Sequence, residues 1–280
     1  MSIFSYDFMQ RALMASLLIS LIAPMLGVFL VLRRQSLMAD TLSHVSLFGV
    51  ALGYFFGMNP TFSTMIVVLI AAVFLEILQQ LYKTYSEIST AILMSGGLAS
   101  ALVMMSIGGG GKRSMSIENY LFGSIITISS EQVWMLLILL IIITVLYALF
   151  RRPMYVLTFD ESTAYVDGLP TSLISILFNV ITGVSIAIMI PIAGALLVSA
   201  IMILPAAIGM KVGRSFSSVI LFSMISGLIG MNGGLLGSFF METPPGASIT
   251  LLFILLFILA TGWKKILFIL RKNDRKQQRV

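Results

Sequence analysis

The chain has 280 residues, 59% hydrophobic and 10% charged, with a mean hydropathy of +1.06. No water-soluble domain of that length hides so much apolar surface, so composition specifies a polytopic membrane protein with little left over for a soluble domain. The absence of cysteine excludes disulfides, thiolate metal sites and cysteine catalysis. The net charge of +6 is no nucleic-acid signal, because the basic residues cluster at the ends of apolar runs and in the tail.

Nine apolar segments are predicted, at roughly 12–32, 37–57, 61–82, 88–108, 132–150, 172–190, 192–210, 215–239 and 247–270. The first is long, is preceded by Asp7 and lacks a small-residue cleavage pattern, so it reads as a span and not as a signal peptide. With the N-terminus outside and the C-terminus inside, only Arg11, Lys112 and Arg113 of the 17 basic residues remain on the outer face. That asymmetry favours nine spans. An eight-span alternative merges the region around Pro191 into one broken helix, which strands Lys211 and Arg214 outside.

The second segment, LMADTLSHVSLFGVALGYFFG (Leu37–Gly57), carries Asp40 and the single histidine, His44. A spacing of four puts both side chains on one helix face, one turn apart, where a carboxylate oxygen and an imidazole nitrogen suit a cation of the zinc or manganese kind. The blander alternative is that the two groups pair with each other or sit among headgroups. Intramembrane ionisable groups are costly, which favours function. Gly49, Gly53 and Gly57 follow as a small-residue stripe on which another helix can pack closely. Glu76, near the inner end of the third segment, is expected to snorkel to the interface.

The outer connection Gly108–Ser124 contains GGGGKRS, which invites a phosphate-loop reading. It fails that test: Ser106 stands where the first glycine belongs, and Arg113 follows Lys112 where Ser or Thr is required. The inner connection, residues 155–170, reads YVLTFDESTAYVDGLP. Thr158 and Glu161 are spaced as a capping box, and Gly168 with Pro170 supplies a stop, predicting about two turns of helix with Asp160, Glu161 and Asp167 exposed and Ala164 as a small contact. An acidic helix is ill-suited to anionic headgroups, so this piece is either a plain linker or a docking element for a protein. Farther on, Pro191, Gly194 and Pro205 predict broken or kinked helices. FMETPPGA (Phe240–Ala247) is an outer turn carrying Glu242.

In this order the residues resemble the permease subunit of metal-ion ATP-binding-cassette importers, the zinc/manganese/iron uptake family of bacteria. The resemblance runs through RRQSLMADTLSHVSLFG, FDESTAYVDGLP, GALLVSAIMILPAA and the acid-x-Pro-x-Gly turn Glu242–Gly246. It implies an all-α type II-importer-like permease of about nine (eight to nine) transmembrane helices, one domain over residues 1–280, in the bacterial cell membrane with a cytoplasmic C-terminus. It puts metal contacts on Asp40 and His44, and more weakly on Glu242, where the family more usually has Asp. It also implies a coupling segment over 155–170, with Phe159, Asp160, Glu161, Ala164 and Gly168 docking on a separate ATPase subunit that uses the ATP. The chain itself is then no enzyme and holds no cofactor for catalysis. The implied cargo is a divalent transition metal, zinc first and manganese second. The implied partners are the ATPase, an extracellular metal-binding lipoprotein, a second copy of the permease and membrane lipid, but no nucleic acid.

The competing class is a secondary transporter that needs no ATPase; inverted repeats and an acidic proton relay would favour it, and no clear repeat is visible. A purely structural membrane protein leaves Asp40, His44 and the acidic inner helix without a purpose.

Overall fold

The computed structural model describes residues 6–82, 86–107, 120, 123 and 125–277, by backbone alone at Ser86, Ile126, Glu161 and 263–277. The helices are α1 (Asp7–Leu32), α2 (Leu37–Phe56), α3 (Pro60–Leu81), α4 (Ser86–Ile107), α5 (Ser130–Phe159), α6 (Glu161–Val166), α7 (Thr171–Ala193), α8 (Ala195–Val212), α9 (Phe216–Met241) and α10 (Pro245–Gln277). A 3-10 turn, Ile125–Thr127, precedes α5. All but α6 match the nine predicted segments, so the chain is an all-α polytopic membrane protein. Among the described residues, eight helices are long and apolar enough to cross a membrane; the long helix that falls outside that group is α2.

Local sequence explains the helix boundaries. Gly57 closes α2 in the left-handed conformation at φ 67°, and the Asn59 side chain then accepts from Thr61 N while Pro60 occupies the first turn of α3. Ser129 and Gln132 form a capping box at the start of α5, and Ser215 with Ser218 does the same for α9. Two predicted details need correction. Pro191 and Pro205 lie inside α7 and α8 without ending them, and the break falls at Gly194, φ 85°. A φ of that sign costs an L-residue energy and costs glycine little, so the chain turns where the glycine is. Helix α5 also runs on through Pro153 to Phe159, past the predicted end near 150, so the inner connection begins as helix.

Helix α2 packs along α3 and α4 and touches α7 and α8. Helix α1 packs against α8, α9 and α5, and α10 lies on α8 and α9. The α2 seam with α3 depends on glycine. A Cβ at Gly49 would lie 2.6 Å from Thr64 Cα, and one at Gly53 would lie 2.7 Å from Pro60 Cα. Both are well inside the ~3.5–4.0 Å optimum for carbon atoms. Helix α4 approaches from another side, with Gly97 against Val45. Because α3, α4, α7 and α8 cover most of α2, most of its side chains meet protein. That is why a segment holding Asp40 and His44 sits deep in the bundle although it is less apolar than its neighbours.

Candidate functional site

Along α2 the side chains divide sharply. Between residues 37 and 53 every side chain is buried except Leu37, Asp40, His44, Phe48 and Leu52. Steps of three and four put these five on one line down the helix. So over residues 37–53 the helix is covered except along a single open line, and the Asp and the His both lie on it, half-buried; its last turn, Tyr54–Phe56, is exposed. Among the described residues no hydrogen bond or ion pair engages either side chain. They are therefore not satisfied by each other, which removes the pairing half of the bland alternative. Nor is there among the described residues a cluster of three or more His, Asp or Glu able to hold a metal by itself. One carboxylate and one imidazole supply two of the four ligands a tetrahedral zinc takes.

Two neighbours of this line escaped the sequence reading. Ser43, beside His44, is 2% exposed and its hydroxyl has no hydrogen-bond partner among the described residues. The Tyr120 hydroxyl, from the connection before α5, donates to the Ser43 carbonyl at 2.6 Å. Most of that connection lies outside the described residues, as do Lys83–Tyr85. No periodicity in residues 108–124 points at Tyr120; the only tyrosine in a Gly-rich stretch was the available signal.

The inner segment is built differently from its prediction. Thr158 does not cap; its hydroxyl donates back to Met154 O within α5 at 2.6 Å. The N-cap of α6 is Asp160, whose carboxylate accepts from Ser162 Oγ at 2.6 Å and Thr163 N at 3.0 Å, and from the Thr163 hydroxyl. These bonds, Ser162 first, hold its carboxyl at about 2, below the ordinary 3.8. Helix α5 consumes Thr158, so the cap passes to the next residue with an oxygen to give. Ala164 is fully buried and α6 leans on α5 and α7, so its small side chain permits close approach within the chain. The outward residues are Tyr165, 75% exposed, and Val166, 83% exposed, with Asp160 and Asp167 beside them. Gly168, φ 77°, turns the chain after α6. Phe159 is exposed and packs its ring on Tyr155 and Phe216, with centroids 4.8 and 6.4 Å apart. An open groove of 540 Å³ follows, lined by Tyr165, Leu169, Pro170, Leu173 and Ile176 among others.

The two remaining acids part company. Glu76 does not snorkel: it is 4% exposed, accepting from Asn179 Nδ2 of α7 at 2.5 Å and from Gln80 Nε2 at 2.9 Å. Gln80 reaches on to Ser172 at 2.9 Å, and Arg33 donates to Ser175 at 2.7 Å. The α3–α7 polar contacts thus run from a buried Glu76–Asn179 pair out to an exposed Gln80–Ser172 contact, and Asn179, a lone amide in an apolar run, was the signal for the buried part. Glu242 is exposed in the left-handed cap of α9, φ 51°, in no acid or histidine cluster with the α2 pair.

A helical bundle whose central helix is mostly covered but leaves open a line carrying an Asp and a His, with a short acidic helix between two spans, fits a membrane permease. Residues 5–264 match the ABC 3 transport family, and the chain belongs to it. It is 28% identical over 255 residues to the high-affinity zinc uptake system membrane protein ZnuB of Haemophilus influenzae, covering 91% of this chain and 97% of that one. It is equally 28% identical to the manganese transport system membrane protein MntC of Listeria monocytogenes, over 91% of this chain and 90% of that one. In three dimensions it matches PsaBC from Streptococcus pneumoniae, solved in complex with Fab, with a TM-score of 0.80, 26% identity and 91% coverage of both chains.

Proposed function

We propose that the chain is the membrane-spanning subunit of an ATP-driven importer of divalent transition-metal ions, zinc first and manganese second. One observation carries the reading: the only line of α2 left uncovered between residues 37 and 53 bears Asp40 and His44. A carboxylate with an imidazole suits zinc, and manganese next. The relatives named for zinc and for manganese are equally similar, so the preference for zinc rests on the ligand pair and on general likeness of sequence. Two ligands per chain fit a two-fold homodimer, in which a second copy repeats the pair and completes four. A weakly held ion suits a conduit, with selectivity set by an external metal-binding lipoprotein. Membership in an ABC transport family goes against the ATPase-independent alternative.

The ATPase subunit docks at α6, where Phe159, Asp160 and Glu161 lead into an exposed face of Tyr165 and Val166, and Gly168 ends it. In this arrangement the N-terminus is outside and the C-terminus cytoplasmic, which reporters after Val280 and within 108–113 would place on opposite sides. The deciding experiment is radiometal uptake by cells carrying Asp40→Ala or His44→Ala. Uptake should fall to background while the protein stays in the membrane at normal amount. Normal accumulation of zinc and manganese in the His44→Ala strain overturns the reading.

A further inference from the structure

Tyr120 grips α2 on both sides of His44. The ring is 2% exposed; its hydroxyl donates to the Ser43 carbonyl at 2.6 Å and meets the Ser46 hydroxyl. Ser46 donates to that same carbonyl at 2.7 Å. The described residues after the tyrosine are themselves anchored. Gly123, φ 71°, lies so close to the α7–α8 break that a Cβ there would be 2.3 Å from Ala193 C and Gly194 N. Ile125 and Ile128 are buried, and the 3-10 turn packs on α1. The phenol is therefore presented from a fixed support.

What it can do follows from the α2 seam. Gly49 and Gly53 hold α2 close against α3 beyond His44, whereas the Tyr120 bond is made at the turn that carries His44 itself. A one-residue rotation of about 100° takes His44 off the open line. A hydrogen bond from a fixed phenol to one carbonyl is directional and does resist it. We infer that Tyr120 is a positioning residue: it sets the rotation of α2 and so keeps Asp40 and His44 on the uncovered line. Its transport consequence rests on the metal-permease reading above; its structural consequence does not.

The chain has no cysteine, so single cysteines report cleanly. Phe48→Cys sits on the open line one turn past His44, and Leu47→Cys sits off it at a site 2% exposed. Their rates of reaction with a charged thiol reagent are compared in the full-length protein, with and without Tyr120→Phe, which keeps the ring and removes the hydroxyl. The 48-to-47 rate ratio should drop about fivefold, the equilibrium weight of one ordinary hydrogen bond. Apparent KM for zinc or manganese uptake should rise by a similar factor with Vmax held. A general loosening instead raises both rates together and leaves the ratio, which overturns the inference, as does an unchanged ratio. Should Tyr120→Phe not accumulate, Ser46→Val places a methyl group where the Tyr120 hydroxyl meets Ser46, pushes the phenol off the Ser43 carbonyl and is read the same way. A shifted ratio in a protein that moves no metal would sink the transport reading and leave this one standing.

Discussion

Asp40 lies in the first turn of a 20-residue helix hemmed in by α3, α4, α7 and α8, whereas Asp160 caps a six-residue helix whose outer face is open. Both acids stand out in the sequence, and both begin helices. Their chemistry differs because of what completes them. Asp160 is satisfied by Ser162 and Thr163 of its own turn, so its carboxylate is a structural cap with little left for a ligand. Among the described residues nothing satisfies Asp40, and a half-buried carboxylate without donors is a group that gains by meeting a cation. The lesson is that an acid in a membrane protein is judged by its unspent hydrogen-bonding capacity more than by its depth.

The comparison can be broken most forcefully at the α2 seam. Gly49→Val places a branched side chain where a Cβ already falls 2.6 Å from the Thr64 backbone. The cost should reach or exceed the ~1–3 kcal/mol of an overpacked core, because backbone and not a flexible side chain must move. We expect little folded protein in membrane extracts; normal yield and melting would show the seam to be slack, and the single open line with it.

A smaller effect is expected in α6. Ala164→Trp overpacks a fully buried site, so the isolated permease should lose about 1–3 kcal/mol of stability before any ATPase is added. Thermal melting of the purified chain measures this. Unchanged melting with failed ATPase pull-down would instead put Ala164 on the docking face and make α6 resemble α2 in presenting its key residue outward. Tyr165→Ala should show the opposite pattern, with melting kept and pull-down weakened.

The smallest effect concerns the cap. Asp160 titrates at about 2 in the folded protein against 3.8 ordinarily. A lowered value means that the cap contributes fully above the ordinary value and is lost as pH falls through the folded one. Hydrogen exchange of the amides following Asp160 should therefore keep its protection, corrected for intrinsic rate, from pH 7 to 4. It should fall only toward pH 2, and Asp160→Ala should show the low-pH pattern at neutral pH. Protection lost already at pH 5 would mean that Ser162 and Thr163 do not hold the carboxylate.

Residues whose meaning is local were legible in advance. The i, i+4 spacing of Asp40 and His44, the close-packed glycines at 49 and 53 and the stop at Gly168 needed only helix geometry and backbone sterics, whereas Gly57, read with 49 and 53 as a packing stripe, has nothing against it and closes α2 instead. Where two local rules competed, the sequence reading picked the wrong one. Thr158 had a capping spacing, yet the preceding helix ran through it and took its hydroxyl. Pro191 looked like a breaker, yet Gly194 three residues later was the cheaper place to turn. Glu76 went astray for another reason: its fate depended on Asn179, 103 residues away, and no spacing rule connects them.

Hydropathy and helical period belong to the chain itself, so sequence alone determined that this protein is a helical membrane bundle with an Asp–His pair on one helix face. Exposure belongs to a residue's neighbours. Only the tertiary structure decided that the pair occupies the one uncovered line of a central helix, that Ala164 points inward and that Glu76 is buried against an amide. It also decided that Tyr120 reaches back to the turn around His44, because each of those facts is fixed by a contact between separate segments and not by spacing within one.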